Sequence, residues 1–364
     1  MSKTRSSQRR ASSILATLAT LIVVGLIWVA QQFLSTPAAP VPETPAGGSS
    51  TWYELYFTDP DTTAQLKNPA GGVPAVIAAS LATAQRTLDV AVYEIELPIY
   101  ADALIAAQER GVRVRVVTDT DYQDEAGTQA LRAAGVPIVA DQRDPFMHNK
   151  FVVIDGGAVW TGSLNFSFND AYRNNNNAIL IRSTRLAENY TAQFERMFTE
   201  QIFNEAITAP NPALNLSGTL VENYFSPRGG VAAKILDVLN TAQTSIHFMA
   251  FAFTRSDFSD ALIAKAQAGV TVQGVMEKRQ IAAGADAAWN AFQAAGLDVV
   301  EDGNTYVLHH KVFIIDQQIV VLGSYNFSRN AEDYNSENIL IIHNAEIAQA
   351  YYAEWQKVRA KAGN

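Results

Sequence analysis

The chain has 364 residues, 48% of them apolar, enough for two ordinary domains or one large two-lobed one with a sizeable core. It contains no cysteine, which excludes disulfides, thiolate metal sites and cysteine nucleophiles while leaving the compartment open. The first 34 residues hold four of the 27 basic residues and none of the 36 acidic ones, so residues 35–364 carry 23 against 36, a net charge of −13. A body so charged repels polyanions at long range, which weakens any reading that rests on non-specific DNA binding.

Lys3, Arg5, Arg9 and Arg10 precede an uncharged apolar run at residues 11–30. Twenty helical residues rise about 30 Å, the hydrocarbon thickness of a bilayer. Residues 1–34 therefore read as a basic cytoplasmic stub with a transmembrane anchor at 11–30, and the positive flank places the rest of the chain outside the cytoplasm. A cleaved signal peptide, which would make the protein secreted, is the rival. Its apolar core would be about 7–15 residues, and Thr36-Pro37-Ala38 is a poor cleavage site. A helix buried in a soluble domain would show an amphipathic period, and none is present. Residues 35–51, with Pro37, Pro40, Pro42, Pro45, Gly47 and Gly48, read as an extended tether.

Beyond the tether the sequence repeats. "LYFTDP" around Tyr56 returns as "NYFSPR" around Tyr224, the stretch Ala84–Asp119 returns as Ala242–Glu277, and "LRAAGVPIV" around Gly135 returns as "FQAAGLDVV" around Gly296. Two copies of a long unit imply a pseudo-dimer within one chain rather than a solenoid. The halves are 52–207 and 219–364, with 208–218 as the linker that joins them. In each, a helix (Ala75–Ala84; Val231–Ala242) precedes an apolar strand (Leu88–Tyr93; Ile246–Phe253). An amphipathic helix follows, ending near Gly111 or Gly269, and then a second strand (Val112–Val117; Val270–Val275). Strand alternating with helix predicts an α/β fold, each half a mixed sheet flanked by helices.

The most informative repeat is His148-Asn149-Lys150, four residues, Asp155, six residues, then Gly162-Ser163-Leu164-Asn165. It recurs as His309-His310-Lys311, Asp316 and Gly323-Ser324-Tyr325-Asn326 at identical spacing. The Val- and Ile-rich segment between Lys and Asp reads as a strand, on which His148 and Lys150 share a face, as do His309 and Lys311. Such a set suits a phosphodiester. Lysines hold the non-bridging oxygens, and Ser163, Ser324, Asn165 and Asn326 add neutral donors. One imidazole attacks phosphorus while another protonates the leaving oxygen. These roles need two histidines in different protonation states, hence two motifs per site. A metal site is disfavoured by the absent cysteines, the absent His-Glu-x2-His pattern and the paired lysines; no cofactor is expected.

Taken together, His-x-Lys-x4-Asp-x6-Gly-Ser-x-Asn in duplicate resembles the phospholipase D superfamily, over about residues 52–364. The resemblance implies that the halves pack with both motifs in one cleft and that displacement proceeds through a phosphohistidine without a metal. It implies His148 as nucleophile, His309 as general acid and base, Lys150 and Lys311 as phosphate ligands, and Asp155 and Asp316 as structural supports. The family often carries a Glu about eleven residues after the motif Asn, bonded to a catalytic His. The second half has Glu337 there and the first has Asn176. The expectation is a crossed pairing, Glu337 on His148 Nδ1 and Asn176 on His309, which would separate the two imidazole pKa values.

Substrate choice is less constrained. A phospholipid at the membrane, hydrolysed or transphosphatidylated, suits the anchor and the acidic body. A membrane-anchored or secreted nuclease is the alternative, with Phe166, Phe168, Tyr172, Tyr325 and Phe327 as base-stacking candidates and Arg143 and Arg173 as thin basic support. A non-catalytic scaffold is disfavoured by the intact His-Lys pairs. Glu94 and Glu96 after the first strand are candidates for the cleft wall, and Asp119 and Glu277 for either a substrate-facing or a structural role. No obligate protein partner is expected, and a monomer suffices because both half-sites are in one chain.

Overall fold

Residues 87–92 and 245–250 are buried toward both faces along nearly their whole length, the pattern of central strands in a sheet covered on both sides. The computed structural model of the protein describes residues 42–43, 51–60, 71–284 and 287–362. The expected membrane span at 11–30 lies outside these residues; among the described ones no helix is long and apolar enough to cross a membrane.

In chain order the first half runs β1 (Pro42–Glu43), β2 (Tyr53–Phe57), α1 (Gly72–Ala82), β3 (Thr87–Val92), α2 (Pro98–Glu109), β4 (Arg113–Thr118), α3 (Ala126–Ala133), β5 (Ile138–Ala140), β6 (Lys150–Ile154), β7 (Ala158–Gly162), α4 (Phe168–Tyr172), β8 (Asn177–Arg182) and α5 (Thr184–Phe198). The hairpin β9 (Ala213–Leu216) and β10 (Thr219–Ser226) leads into α6 (Val231–Thr241), β11 (Ser245–Ala250), α7 (Ser256–Gln267), β12 (Thr271–Met276), α8 (Lys278–Ala282), α9 (Ala287–Ala294), β13 (Asp298–Glu301), β14 (Lys311–Ile315), β15 (Ile319–Gly323), α10 (Arg329–Asp333), β16 (Glu337–His343) and α11 (Ala345–Arg359).

The first sheet has the order β2-β8-β7-β6-β3-β4-β5, and the second repeats it as β10-β16-β15-β14-β11-β12-β13, extended at one edge by β9 and β1. Both sheets are mixed. β3, β4 and β5 run parallel, as do β11, β12 and β13 and the edge pair β1 and β9, while the remaining pairs are antiparallel. Parallel neighbours demand a crossover, supplied by α2 and α7. Each crossover helix ends at a glycine in the left-handed region, Gly111 at φ 92° and Gly269 at φ 91°, where a side chain would be strained.

Three apolar clusters follow from this arrangement. One lies under α1 and α2 in the first half, around Leu81, Val90, Leu104 and Val152. Its counterpart in the second half gathers Ile235, Phe248, Leu262 and Phe313. The third is shared between halves and includes Val153, Ile181 and Tyr190 of one with Ile314, Leu340 and Tyr351 of the other. The two sheets thus bury their remaining faces through a common core that includes residues of α5 and α11.

The motif aspartates lie at the far end of β6 and β14. Asp155 accepts from the backbone N–H groups of Gln85, Arg86 and Thr87 at 2.9, 2.7 and 2.8 Å, and Asp316 from those of Gln243, Thr244 and Ser245 at 2.9, 2.7 and 2.8 Å. Both adopt a left-handed backbone, φ 53° and 51°. Aspartate tolerates that conformation better than alanine does. Burial alone would raise these carboxyls, but the backbone donors hold both below the usual carboxylate range. Their stabilisation is therefore present above the unfolded value of about 3.9 and is lost as pH falls through the lower folded value. Asp155→Ala and Asp316→Ala should each cost about 1–2 kcal/mol at pH 7 in urea denaturation, with the loss vanishing toward pH 2–3. An unchanged urea midpoint at pH 7 would contradict this role.

Candidate functional site

His148 and His309 each precede the first residues of β6 and β14, on lead-in segments that pair with the opposite half. Met147 and Ser336 form a parallel bridge, as do Asn175 and Leu308. The backbone N–H of His148 donates to Ser336 O at 2.9 Å, and that of His309 to Asn175 O at 3.0 Å. The predicted strand is therefore shorter than the motif. The histidines lie just outside it, held by a two-sided splice between halves.

The splice carries the catalytic candidates together. His148 Nδ1 lies 2.8 Å from Glu337 Oε2, and His309 Nδ1 lies 2.9 Å from Asn176 Oδ1. The next residues cross as well, Asn338 Nδ2 donating to Asn149 Oδ1 at 3.0 Å and Asn177 Nδ2 meeting His310 Nδ1 at 3.0 Å. With both Nδ1 atoms engaged behind the cleft, the Nε2 edges remain for substrate. Both histidines line one cleft of about 650 Å³, whose wall also includes Asn165 and Asn326. That is an ordinary volume for a small-ligand site.

Lys150 and Lys311 lie behind the histidines. Their Nζ atoms donate to the carbonyls of His148 and His309 at 2.7 and 2.8 Å and sit 4.9 Å from the rings of Tyr93 and Phe251. Burial lowers Lys150 to about 8, and burial together with the charge of Lys150 pushes Lys311 well below its ordinary value. The Oδ1 atoms of Asn165 and Asn326 are buried with no hydrogen-bond partner among the described residues. An amide so placed can turn either its oxygen or its NH2 toward the cleft.

Ser163 and Ser324 do not line the cleft. Ser163 Oγ donates to Asn176 Oδ1 at 2.8 Å, and Ser324 Oγ donates to Glu337 Oε2 at 2.6 Å, so each hydroxyl orients the group that holds a histidine. The turn after β7 and β15 curls these side chains inward, which strand alternation does not reveal.

Burial and the nearby Lys150 and Lys311 ammonium groups hold His148 well below its usual value. Burial raises Glu337 to about 8, against the pull of Lys150. His309 is lowered to about 4 by burial, against the upward pull of Asp170. Asp170 has no place in the repeated motif, since its counterpart is Ala331, and the motif alone does not single it out. Its Oδ2 lies 3.4 Å from His309 Nδ1 and accepts from Asn165 N at 2.8 Å, and its Oδ1 accepts from Asn174 Nδ2 at 2.6 Å. Burial alone would raise it, but His309 and these donors hold it below the carboxylate range. The amide opposite His309 is therefore joined by a carboxylate, and the two histidines are less unlike than Glu337 and Asn176 suggest.

Asp119 and Glu277 point at the backbone. Asp119 Oδ2 accepts from Met147 N at 2.8 Å and Glu277 Oε2 from Leu308 N at 2.6 Å, each fixing the residue before a cleft histidine. Glu94 does line the cleft, where burial and then Asp170 raise it to about 7. Glu96 accepts from Phe168 N at 2.9 Å. Of the stacking candidates, Phe166, Tyr172, Tyr325 and Phe327 are core residues. Phe168 is partly buried beneath Arg173, and Arg143 is ion-paired with Asp141 at 3.2 Å.

Comparison with known proteins agrees with this geometry. A family described as "Cardiolipin synthase, PLD-like domain" matches residues 77–198 and again 235–359. A mitochondrial cardiolipin hydrolase of Xenopus tropicalis is 40% identical over 122 residues, covering 33% of this chain and 58% of that one, so the chain spans little more than half of that relative's length. A phospholipase D of Rickettsia bellii is 32% identical over 148 residues, covering 41% of this chain and 73% of that one. The crystal structure of a phosphatidylserine synthase from Haemophilus influenzae shares the fold, with a TM-score of 0.58 at 14% identity over 78% of this chain and 83% of that one. Two matched domains, each contributing a motif histidine to a common cleft, place the chain in the phospholipase D superfamily.

Proposed function

We propose that the protein is a phosphodiesterase that hydrolyses phospholipids through a covalent phosphohistidine. The crossed pairing of His148 with Glu337 and His309 with Asn176 and Asp170 carries this reading, because it gives two imidazoles in one cleft different electrostatic partners. His148 Nε2 attacks phosphorus and the P–O bond to the leaving alcohol breaks. His309 Nε2–H supplies the proton that the alkoxide needs. Water then attacks from the leaving-group side, gives its proton to His309, and the P–N bond breaks to free His148. A primary alcohol in place of water gives transfer. Glu337, ionised, offsets the positive charge that His148 gains as it is phosphorylated; Lys150, Lys311, Asn165 and Asn326 hold the non-bridging oxygens. No metal or cofactor enters this scheme.

Three observations favour lipid over nucleic acid. The body of the chain carries a net charge of −13. Glu94 and Asp170 add carboxyls to the cleft wall, which opposes a chain of further phosphates. The relatives are named for phospholipid substrates. The apolar run at 11–30 would hold the catalytic unit at an extracytoplasmic membrane face, and a monomer would suffice.

The full chain should convert phosphatidylcholine vesicles containing a primary alcohol into the phosphatidyl alcohol, and His148→Ala should lower that rate at least ~10⁴-fold. Degraded DNA with untouched lipid would overturn the substrate, and an active His148→Ala would overturn the mechanism. Because Glu337 ionises near pH 8, the wild-type advantage over Glu337→Gln should grow with pH, to about 10²-fold above pH 8, and shrink below pH 6. A constant ratio across that range would remove Glu337 from the mechanism. Asp170→Asn takes away the charge that favours protonated His309. It should slow the lipid about tenfold and bis(p-nitrophenyl) phosphate, whose leaving group needs no proton, much less. Equal slowing of both substrates would assign Asp170 a purely structural role.

A further inference from the structure

Large apolar side chains in this protein are almost uniformly buried. Among the described residues two stand out, Phe146 at 37% exposure and Tyr334 at 47%. They belong to different halves, yet the splice between halves sets them side by side. Phe146 N donates to Asn335 Oδ1 at 3.1 Å, Phe146 O accepts from Ser336 N at 2.8 Å, and Arg143 Nη1 donates to Tyr334 O at 3.2 Å. Phe146 also lines the cleft, its ring 6.4 Å from that of His148. The patch is therefore continuous with the entrance to the site.

Exposed aromatics at an active-site mouth suit either stacked bases or a lipid interface. The surrounding charge separates the two. Asp144 is exposed two residues before Phe146, and Asp333, beside Tyr334, is about half exposed. Arg143 is tied to Asp141 and to backbone carbonyls, and Arg329 faces Asp333 at 3.7 Å. Uncommitted positive charge, which a polyanion would require, is scarce here, whereas apolar contact with a bilayer requires none.

We propose that Phe146 and Tyr334 form a membrane-docking lip that enters the bilayer interface and presents the phosphodiester of a lipid, still in its leaflet, to His148. This rests on the lipid reading of the cleft. It adds the face of the protein that meets the membrane. A phospholipid then need not leave its leaflet fully, since the aromatic lip and the cleft wall are one surface.

Because the chain has no cysteine, Tyr334→Cys gives a single labelling site in the full-length protein, and Gln243→Cys, exposed at the opposite end of β11 from the cleft, gives a control. A fluorophore at position 334 should be quenched by phosphatidylcholine vesicles with brominated acyl chains, while one at 243 should not. Quenching at neither position, or equally at both, would overturn the proposal, as would a response at 334 to single-stranded DNA alone. In parallel, Tyr334→Asp should lower the ratio of vesicle turnover to bis(p-nitrophenyl) phosphate turnover about tenfold. An unchanged ratio counts against the lip. Should the wild-type protein turn over no lipid, the proposed substrate fails, and the fluorophore still reports whether this surface meets a bilayer.

Discussion

The structure depends on the reciprocal crossing of two short segments. Asn175-Asn176-Asn177 of the first half meets Leu308-His309-His310 of the second, and Ser336-Glu337-Asn338 of the second meets Met147-His148-Asn149 of the first. In each crossing one residue bonds backbone to backbone, the next holds a cleft histidine by Nδ1, and the third satisfies a buried side chain behind it. Neither half can therefore orient its own histidine. Separated halves would leave buried polar groups unpaired, at a cost of about 1–3 kcal/mol each. The third residues of the two triplets are themselves tied into the shared core, Asn338 by Thr161 and Tyr190 and Asn177 by Tyr351, so the geometry of the site and the packing between halves are one property.

Within this near-symmetric frame, chemistry needs asymmetry. Most supporting groups occur in matched pairs: Ser163 and Ser324, Asp119 and Glu277, Tyr93 and Phe251 beside their lysines. Three positions break the match. Glu337 stands opposite Asn176, Asp170 opposite Ala331, and Glu94 opposite Ala252. The first two act on different histidines, so each imidazole has a carboxylate, but by different routes. Glu337 Oε2 lies directly against Nδ1 at 2.8 Å, whereas Asp170 stands 3.4 Å away, beside an amide that has taken the closer position. A direct carboxylate would suit a ring that gains positive charge, as the proposed phosphohistidine requires. A more distant one still favours the protonated form of an acid while leaving its proton free to transfer.

How far the sequence foretold this varies with the physical origin of each feature. The duplication and the mixed α/β halves rest on periodicity and spacing, which survive translation into backbone geometry, whereas the strand begins only at the lysines and leaves the histidines just outside it. The contact between Glu337 and His148 was legible through the family resemblance, whose Glu about eleven residues after the motif Asn falls on Glu337 in one half and is replaced by Asn176 in the other. Asp170 was not, because it lies on the short helix α4, where no period constrains the side chain's direction. Ser163 and Ser324 were assigned to phosphate for their chemistry; their hydroxyls are instead committed to Asn176 and Glu337, a consequence of how the chain curls after β7 and β15. The stacking aromatics show the same limit. Composition cannot tell Phe166 or Phe327, which are core, from Phe146, which is exposed.

The asymmetry at Glu94 bears on selectivity. A site that binds a monoanionic diester through two lysines, as proposed, would have charge to spare, and an unopposed cleft would take polyanions readily. Placing a carboxyl in the wall of one half, where the other half has alanine, reduces that excess without touching the phosphate ligands. Because burial raises this carboxyl to about 7, its charge also varies across the neutral range. Discrimination against further phosphates is then strongest above neutrality, where Glu94 and Glu337 are increasingly ionised, the same range in which attack by His148 is best supported. Selection against further phosphates would therefore strengthen as pH rises through neutrality, because burial in the cleft has shifted the Glu94 carboxyl upward.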